Sequence, residues 1–181
     1  MTVLGAIIAG GAARRFGADK AAALLGGRAL IDHVIDALSP QVDALIIAGR
    51  EWDGYLSVDD YPFRCGPLSG LCAALRWANS QGHDHVLASG CDVLPLPSDL
   101  LSCLMGDGPA VVAGQRLLGL WPSRLAERLE AHIVDQGDHS LRHWAEISGA
   151  REVASSVTLH NMNTAEDLAQ YGARAAQISL L

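Results

Sequence analysis

The chain alternates short apolar runs with stretches of helical periodicity. Val3–Ala9 is an unbroken apolar run of strand length, the pattern of a strand buried on both faces. Ala44–Ala48 and Val86–Ser89 repeat that pattern. Between the first two, Ala21–Leu25 is apolar and Gly26–Gly27 marks a turn. Leu30, Val34, Ile35 and Leu38 then recur at helical spacing, with Asp32, His33 and Asp36 on the opposite face. Pro40 closes that helix. Gly49–Gly66 is polar and turn-rich, and Gly66-Pro67-Leu68-Ser69-Gly70 leads into an apolar helix, Leu71–Ala78. Later, Ser98–Leu104 reads as a short helix, Gly106–Pro109 as a turn and Pro109–Ala113 as a strand. Two amphipathic helices follow. One starts at Ser123, with Leu125, Leu129 and Ile133 inward; the other is Ser140–Ile147, with Leu141 and Trp144 on one face. Glu152–Val157 reads as a late strand, and a final helix runs to about Gln177. This β-loop-α-β alternation predicts a three-layer α/β fold with a mostly parallel central sheet. Val3–Ala9, Ala44–Ala48 and Val86–Ser89 are expected side by side in it. With no repeat, low-complexity tract or linker, residues 1–181 read as a single domain.

The chemistry gathers where these strands end. Val3–Ala9 stops at Gly10–Gly11; Arg14–Arg15, Gly17 and Asp19–Lys20 follow. Glycines let the backbone come close to a ligand, and exposed N–H groups with nearby cationic side chains attract anions. A phosphate-binding loop is therefore predicted at the carboxyl end of the first strand. The spacing is neither G-x-x-x-x-G-K-[ST] nor G-x-G-x-x-G, which argues against a P-loop NTPase and a dinucleotide-binding unit. The third strand runs into Gly90-Cys91-Asp92, which sets a carboxylate where open α/β sheets bind ligands.

Composition narrows the ligand. Half the residues are hydrophobic and 18% are charged, so the chain is globular. The formal charge is 13 − 20 = −7, which disfavours non-specific nucleic-acid binding and points the basic loop at a small anion. Cys65, Cys72, Cys91 and Cys103 form no C-x-x-C pair, and His83 and His85 flank a polar turn, so neither a zinc site nor a redox pair is indicated. No apolar run reaches the ~18 residues of a membrane helix. The first residues lack a basic segment before the apolar stretch, so no signal peptide is read there. The expectation is a cytoplasmic protein with reduced thiols and no membrane contact.

The first loop, Ile8-Ala9-Gly10-Gly11-Ala12-Ala13-Arg14-Arg15-Phe16-Gly17-Ala18-Asp19-Lys20, resembles the L-A-G-G-x-x-x-R-M-G-x-D-K signature of the molybdenum cofactor guanylyltransferases, the MobA-like nucleotidyltransferases. Sugar-1-phosphate nucleotidyltransferases usually carry A-A-G-x-G-T-R-M instead. Three further stretches resemble the family in order. Gly66–Gly70 matches G-P-L-A-G, with the family's aspartate seven residues earlier at Asp59. Gly90–Pro97 resembles C-D-x-P-x-[LI]-P through Asp92 and Pro97, with Leu94 in place of the middle proline. His160–Leu168 resembles [FV]-x-N-x-N-T-P-E-D-L through Asn161, Asn163, Thr164 and Glu166–Leu168. Gly119–Pro122 fits the family's G-L-[WY]-P. Gln115-Arg116-Leu117-Leu118 reads as a shorter loop than the family's, without its His-Pro.

The resemblance implies a Rossmann-like nucleotidyltransferase that moves GMP from GTP to molybdopterin with Mg²⁺ and releases pyrophosphate. It assigns the nucleotide to Ile8, Ala9, Gly10, Gly11, Lys20, Asp59 and Asp92. It assigns catalysis to Arg15, Lys20 and Asp92, the metal to Asp92, and the acceptor to Asn161 and Asn163. GTP, molybdopterin and other cofactor-assembly proteins are the implied partners. Gly49 stands where many guanylyl enzymes have asparagine, which leaves a cytidylyl-transferring relative or a sugar-phosphate enzyme open. A non-catalytic nucleotide-binding accessory protein is the reading from another class.

Overall fold

The first strand, β1 (Val3–Ile8), is buried along its whole length. Its side chains alternate between two cores: Val3 and Ile7 enter one, Leu4, Ala6 and Ile8 the other. The computed structural model describes residues 1–10, 19–62, 66–136 and 139–178. After the signature loop, β2 (Leu24–Leu25) and β3 (Arg28–Ala29) form a small antiparallel hairpin about Gly26–Gly27. It delivers the chain into α1 (Leu30–Leu38), which buries Leu30, Ile31, Val34, Ile35 and Leu38 along one stripe. Each such side chain contributes about 1.5–3 kcal/mol on burial. Pro40 then sits in a short 3₁₀ turn, Ser39–Gln41, that ends the helix.

The chain continues through β4 (Ala44–Ala48), β5 (Leu56–Val58), α2 (Pro67–Gln81), β6 (His85–Gly90), β7 (Val93–Leu94), α3 (Leu100–Leu104), β8 (Ala110–Val112) and β9 (Gln115–Pro122). It closes with α4 (Ala126–Gln136), α5 (Leu141–Ser148), β10 (Arg151–Val153), β11 (His160–Asn161) and α6 (Ala165–Ile178). Seven strands build the main sheet in the order β10-β8-β9-β6-β1-β4-β5. β6, β1, β4 and β5 are parallel, with Ile7 level with Ile47 and Ser89, and β8 and β10 are parallel. The three strands expected side by side therefore are so. α1, α3 and α6 give Leu38, Leu104 and Leu168 to one core; α2, α4 and α5 give Leu71, Leu129 and Trp144 to the other. This is the expected three-layer, mostly parallel α/β fold.

Three local readings are corrected. Gln115–Leu118, expected as a loop, is the first half of β9. That strand turns back from β8 and runs antiparallel between β8 and β6. The polar stretch after Gly49 contains an edge strand, β5, whose three residues are only partly covered. The late strand spans Arg151–Val153 and not Glu152–Val157, because pairing with β8 ends at Val112.

Candidate active site

The carboxyl ends of β1, β4 and β6 open on a cavity of about 300 Å³. Parallel strands direct their outgoing loops to one edge, and that edge is where such sheets bind ligands. β1 supplies Ile8, Ala9 and Gly10; the loop after β4 supplies Arg50; the loop after β5 supplies Asp60; β6 and its loop supply Gly90, Cys91 and Asp92. Gly66 and Pro67 bring the N-terminus of α2 to the rim. β9 closes the far wall with Gln115, Leu117 and Leu118.

Lys20 and Asp92 meet inside this cavity. The Lys20 ammonium donates to Asp92 Oδ2, and both side chains are largely covered, at 17% and 23% exposure. Lys20 also donates to Asn163 Oδ1 at 3.0 Å. The long sequence separation is bridged by the short ladder of β7 with β11, where Asn161 lies opposite Val93 and His160 opposite Leu94. The amide of Met162 completes it by donating to the Asp92 carbonyl at 2.9 Å. That ladder brings Asn161 into the cavity lining. The Asp167 carboxylate caps the following helix by accepting from the amides of Asn163 and Thr164, which fixes the turn carrying Asn163.

Glycines allow close approaches here. A Cβ on Gly90 would lie 2.6 Å from Asp92 Oδ1, so the carboxylate folds back into the space a side chain would fill. Gly49 has φ +85°, and a Cβ there would lie 2.4 Å from the Gly10 Cα and 2.6 Å from Asp60 Oδ1. The loops after β1, β4 and β5 are packed too tightly at that point for any larger residue.

The count back from Gly66 leads to Asp59, but Asp59 is exposed and does not line the cavity. Asp60 does, with its carboxylate against Gly10 and Gly49. β5 pairs as far as Val58, and it is Asp60, the second of the two aspartates after it, that reaches the cavity. Gly11 and Arg15 lie outside the described residues. Arg50, Gln115, Leu117 and Leu118 also line the cavity, and no motif pointed to them.

Arg50 grips Asp19. Its Nη1 donates to Asp19 Oδ1 at 2.6 Å and its Nη2 donates to Oδ2, a two-pronged ion pair. The guanidinium hydrogen bond holds the Asp19 carboxyl below the usual carboxylate range. Burial, reinforced by the Asp92 charge, pushes the Cys91 thiol up to about 12, so Cys91 is not a nucleophile at neutral pH. Among the described residues, no group of three histidine, cysteine or acidic side chains could hold a metal unaided. Nor is any helix among them long and apolar enough to cross a membrane.

Residues 5–153 match the MobA-like NTP transferase domain. The chain is 37% identical to a molybdenum cofactor guanylyltransferase of Cereibacter sphaeroides, over 94% of this chain and 95% of that one. It is 35% identical to another from Acidiphilium cryptum, over 90% of each. Among solved structures, molybdopterin-guanine dinucleotide biosynthesis protein A from Archaeoglobus fulgidus superposes with a TM-score of 0.74 at 19% identity, covering 96% of this chain and 99% of that one. The fold, the order of the motifs and these likenesses agree: the chain belongs to the MobA-like NTP transferase family.

Proposed function

We propose that the protein is a molybdenum cofactor guanylyltransferase, moving GMP from GTP to the terminal phosphate of molybdopterin and releasing pyrophosphate. The observation that carries this reading is the meeting of Lys20, Asp92 and Asn163 at the carboxyl edge of the sheet. The relatives named for this activity cover nearly the whole chain. A cytoplasmic setting is part of the same proposal.

The reaction asks the protein to align two polyanions and to offset charge on the phosphorus being attacked. Lys20 holds the nucleotide phosphates, with the backbone of Gly10 beside them. Gly11 and Arg15 are assigned there on the motif alone. Asp60 takes the nucleoside-side place expected of Asp59. Asn161 and Asn163 serve the acceptor.

Asp92 fits a magnesium ion of the kind completed by substrate. A carboxylate seated over Gly90, with no cage of further ligands around it among the described residues, matches an ion bound by one or two carboxylates plus phosphates and water. Bound there, Mg²⁺ would neutralise part of the charge developing on the phosphate oxygens. The test is transfer of label from GTP, CTP or UTP to molybdopterin across a Mg²⁺ series. Transfer from GTP well above CTP supports the reading. Equal or greater transfer from CTP assigns the protein to cytidylyl transfer, and no transfer from any nucleotide removes the enzyme assignment.

A further inference from the structure

Lys20 is delivered to the cavity by a loop, and a loop alone fixes a long side chain poorly. Asp19, the residue before it, is anchored at both carboxylate oxygens. Oδ1 accepts from the Ala21 amide at 3.2 Å and from Arg50 Nη1 at 2.6 Å, while Oδ2 accepts from Arg50 Nη2. Arg50 is itself held from behind. Its guanidinium carbon lies 5.6 Å from the centre of the Trp52 ring, and Trp52 Nε1 donates to Asp32 Oδ1 of α1 at 2.9 Å. The backbone before Arg50 is fixed too, since the Gly49 amide donates to the Val58 carbonyl at 2.8 Å. A continuous set of contacts thus runs from α1 through Trp52, Arg50 and Asp19 to the backbone that carries Lys20.

We propose that Arg50 is a positioning residue, which acts through Asp19 to set where the Lys20 ammonium lies in the cavity. This rests on the proposed transferase function for its kinetic consequence, but not for its structural one. The planar fork matters as well as the charge: two parallel hydrogen bonds fix the orientation of the carboxylate, which a single ammonium cannot do. Transition-state alignment is sensitive to small displacements, so a loosened Lys20 acts on turnover more than on capture of GTP.

The experiment compares the wild type with Arg50→Gln, Arg50→Lys, Asp19→Asn and the double variant Arg50→Gln/Asp19→Asn. GMP transfer is followed at varied GTP with molybdopterin saturating. The expected result is a kcat about tenfold lower in each single variant, or roughly 1.4 kcal/mol, with KM for GTP changed by less than about threefold. Arg50→Lys gives no rescue, and the double variant is no worse than either single one. A second readout needs no substrate. Lys20 is the one lysine among the chain's 13 Lys and Arg residues, so mass spectrometry after acetic anhydride treatment reports its exposure without interference from other lysines. Its acetylation rate should rise at least about threefold in Arg50→Gln and in Asp19→Asn.

If Arg50→Gln loses activity while Asp19→Asn keeps it, Arg50 acts on the nucleotide directly and the proposal is overturned. It is overturned equally if Lys20 acetylation is unchanged in both variants, or if losses of turnover merely follow losses of folded protein in thermal unfolding. A wild type that transfers no GMP overturns the proposed function, and the acetylation rates then decide the role of Arg50 alone.

Discussion

The two halves of the sheet are built on different rules. β5, β4, β1 and β6 run parallel and send their loops to one edge, and those loops carry Gly10, Arg50, Asp60 and Asp92. β9 runs against its neighbours and gives the cavity a wall through Leu117 and Leu118. Behind that wall, Trp121 is fully buried and stacks on Trp144 of α5, 6.4 Å between ring centres. The parallel half therefore holds the charges, and the antiparallel half holds the shape against which they work. The difference teaches that position along a strand has opposite meanings in the two halves. In β6 the carboxyl end leads to the chemistry, whereas in β9 it is the amino end that reaches the cavity.

The largest effect should fall on the antiparallel half and be a loss of stability. Trp121→Ala removes a buried aromatic side chain, a change that costs about 3–5 kcal/mol. Urea unfolding should show that loss, while turnover per folded molecule changes little. A kcat that collapses in still-folded Trp121→Ala would show that the wall takes part in the chemistry, and the contrast would fail.

The next effect is the reverse. Lys20→Glu puts a second carboxylate beside Asp92 and removes charge-assisted contacts worth about 1.5–3 kcal/mol each. GMP transfer should fall at least about tenfold, and more where several contacts go together. Arg174→Glu, on the outer helix α6, should leave transfer within about twofold. Asp92→Asn should fold normally, lose transfer and lose the response to added Mg²⁺; equal metal dependence in that variant and the wild type would remove Asp92 as the metal ligand.

The same contrast explains what the sequence made legible. β1, β4 and β6 stand out because both faces are buried, which leaves unbroken apolar runs, and glycine or aspartate marks where each ends. β9 was obscured because it begins with Gln115 and Arg116, both only half-covered, and so reads as a polar loop. The Ala113–Gly114 turn between two apolar stretches was the available hairpin signal, with Gly114 at φ +77°. β7 and β11 have two residues each, too few for any periodicity, yet their pairing brings Asn161 to the cavity. Lys20, Asp92, Asn161 and Asn163 were found through motifs that lie far apart in the chain. Arg50 belongs to no motif, and its role rests on a contact with Asp19 that only the folded loops create. The count along the chain led to Asp59, whereas Asp60 lines the cavity, because a count does not tell which of two adjacent aspartates faces inward.

A smaller effect is expected at Gly49, where the loops of the parallel half touch. Gly49→Ala places a side chain at φ +85°, which costs about 1–2 kcal/mol for a residue with a Cβ. The added Cβ also meets the Gly10 backbone. Gly49→Asn separates the two causes, since asparagine tolerates positive φ better but carries the same Cβ. Both variants should weaken GTP binding by isothermal titration if the close approach dominates. Recovery of affinity in Gly49→Asn alone would show that backbone strain is the larger part, and that the space against Gly10 yields.

The smallest effect tests a contact made to the parallel half from outside the main sheet. Asn163 follows β11, which pairs with β7 outside the main sheet, yet its Oδ1 accepts from the Lys20 ammonium. The contact is solvent-exposed, so water replaces much of it when the amide is lost. Asn163→Ala should therefore lower transfer only about two- to fivefold, or roughly 0.4–1 kcal/mol, below the full range for hydrogen bonds to charged groups. A cycle with Lys20→Ala isolates the pair: if the contact is what matters, Asn163→Ala should have little further effect once Lys20 is gone. If instead Asn163→Ala costs as much in the Lys20→Ala background, and the loss appears in KM for molybdopterin, then Asn163 serves the acceptor independently of Lys20. In that case Asn163 and Lys20 would be coupled through the substrates, and not through their own hydrogen bond.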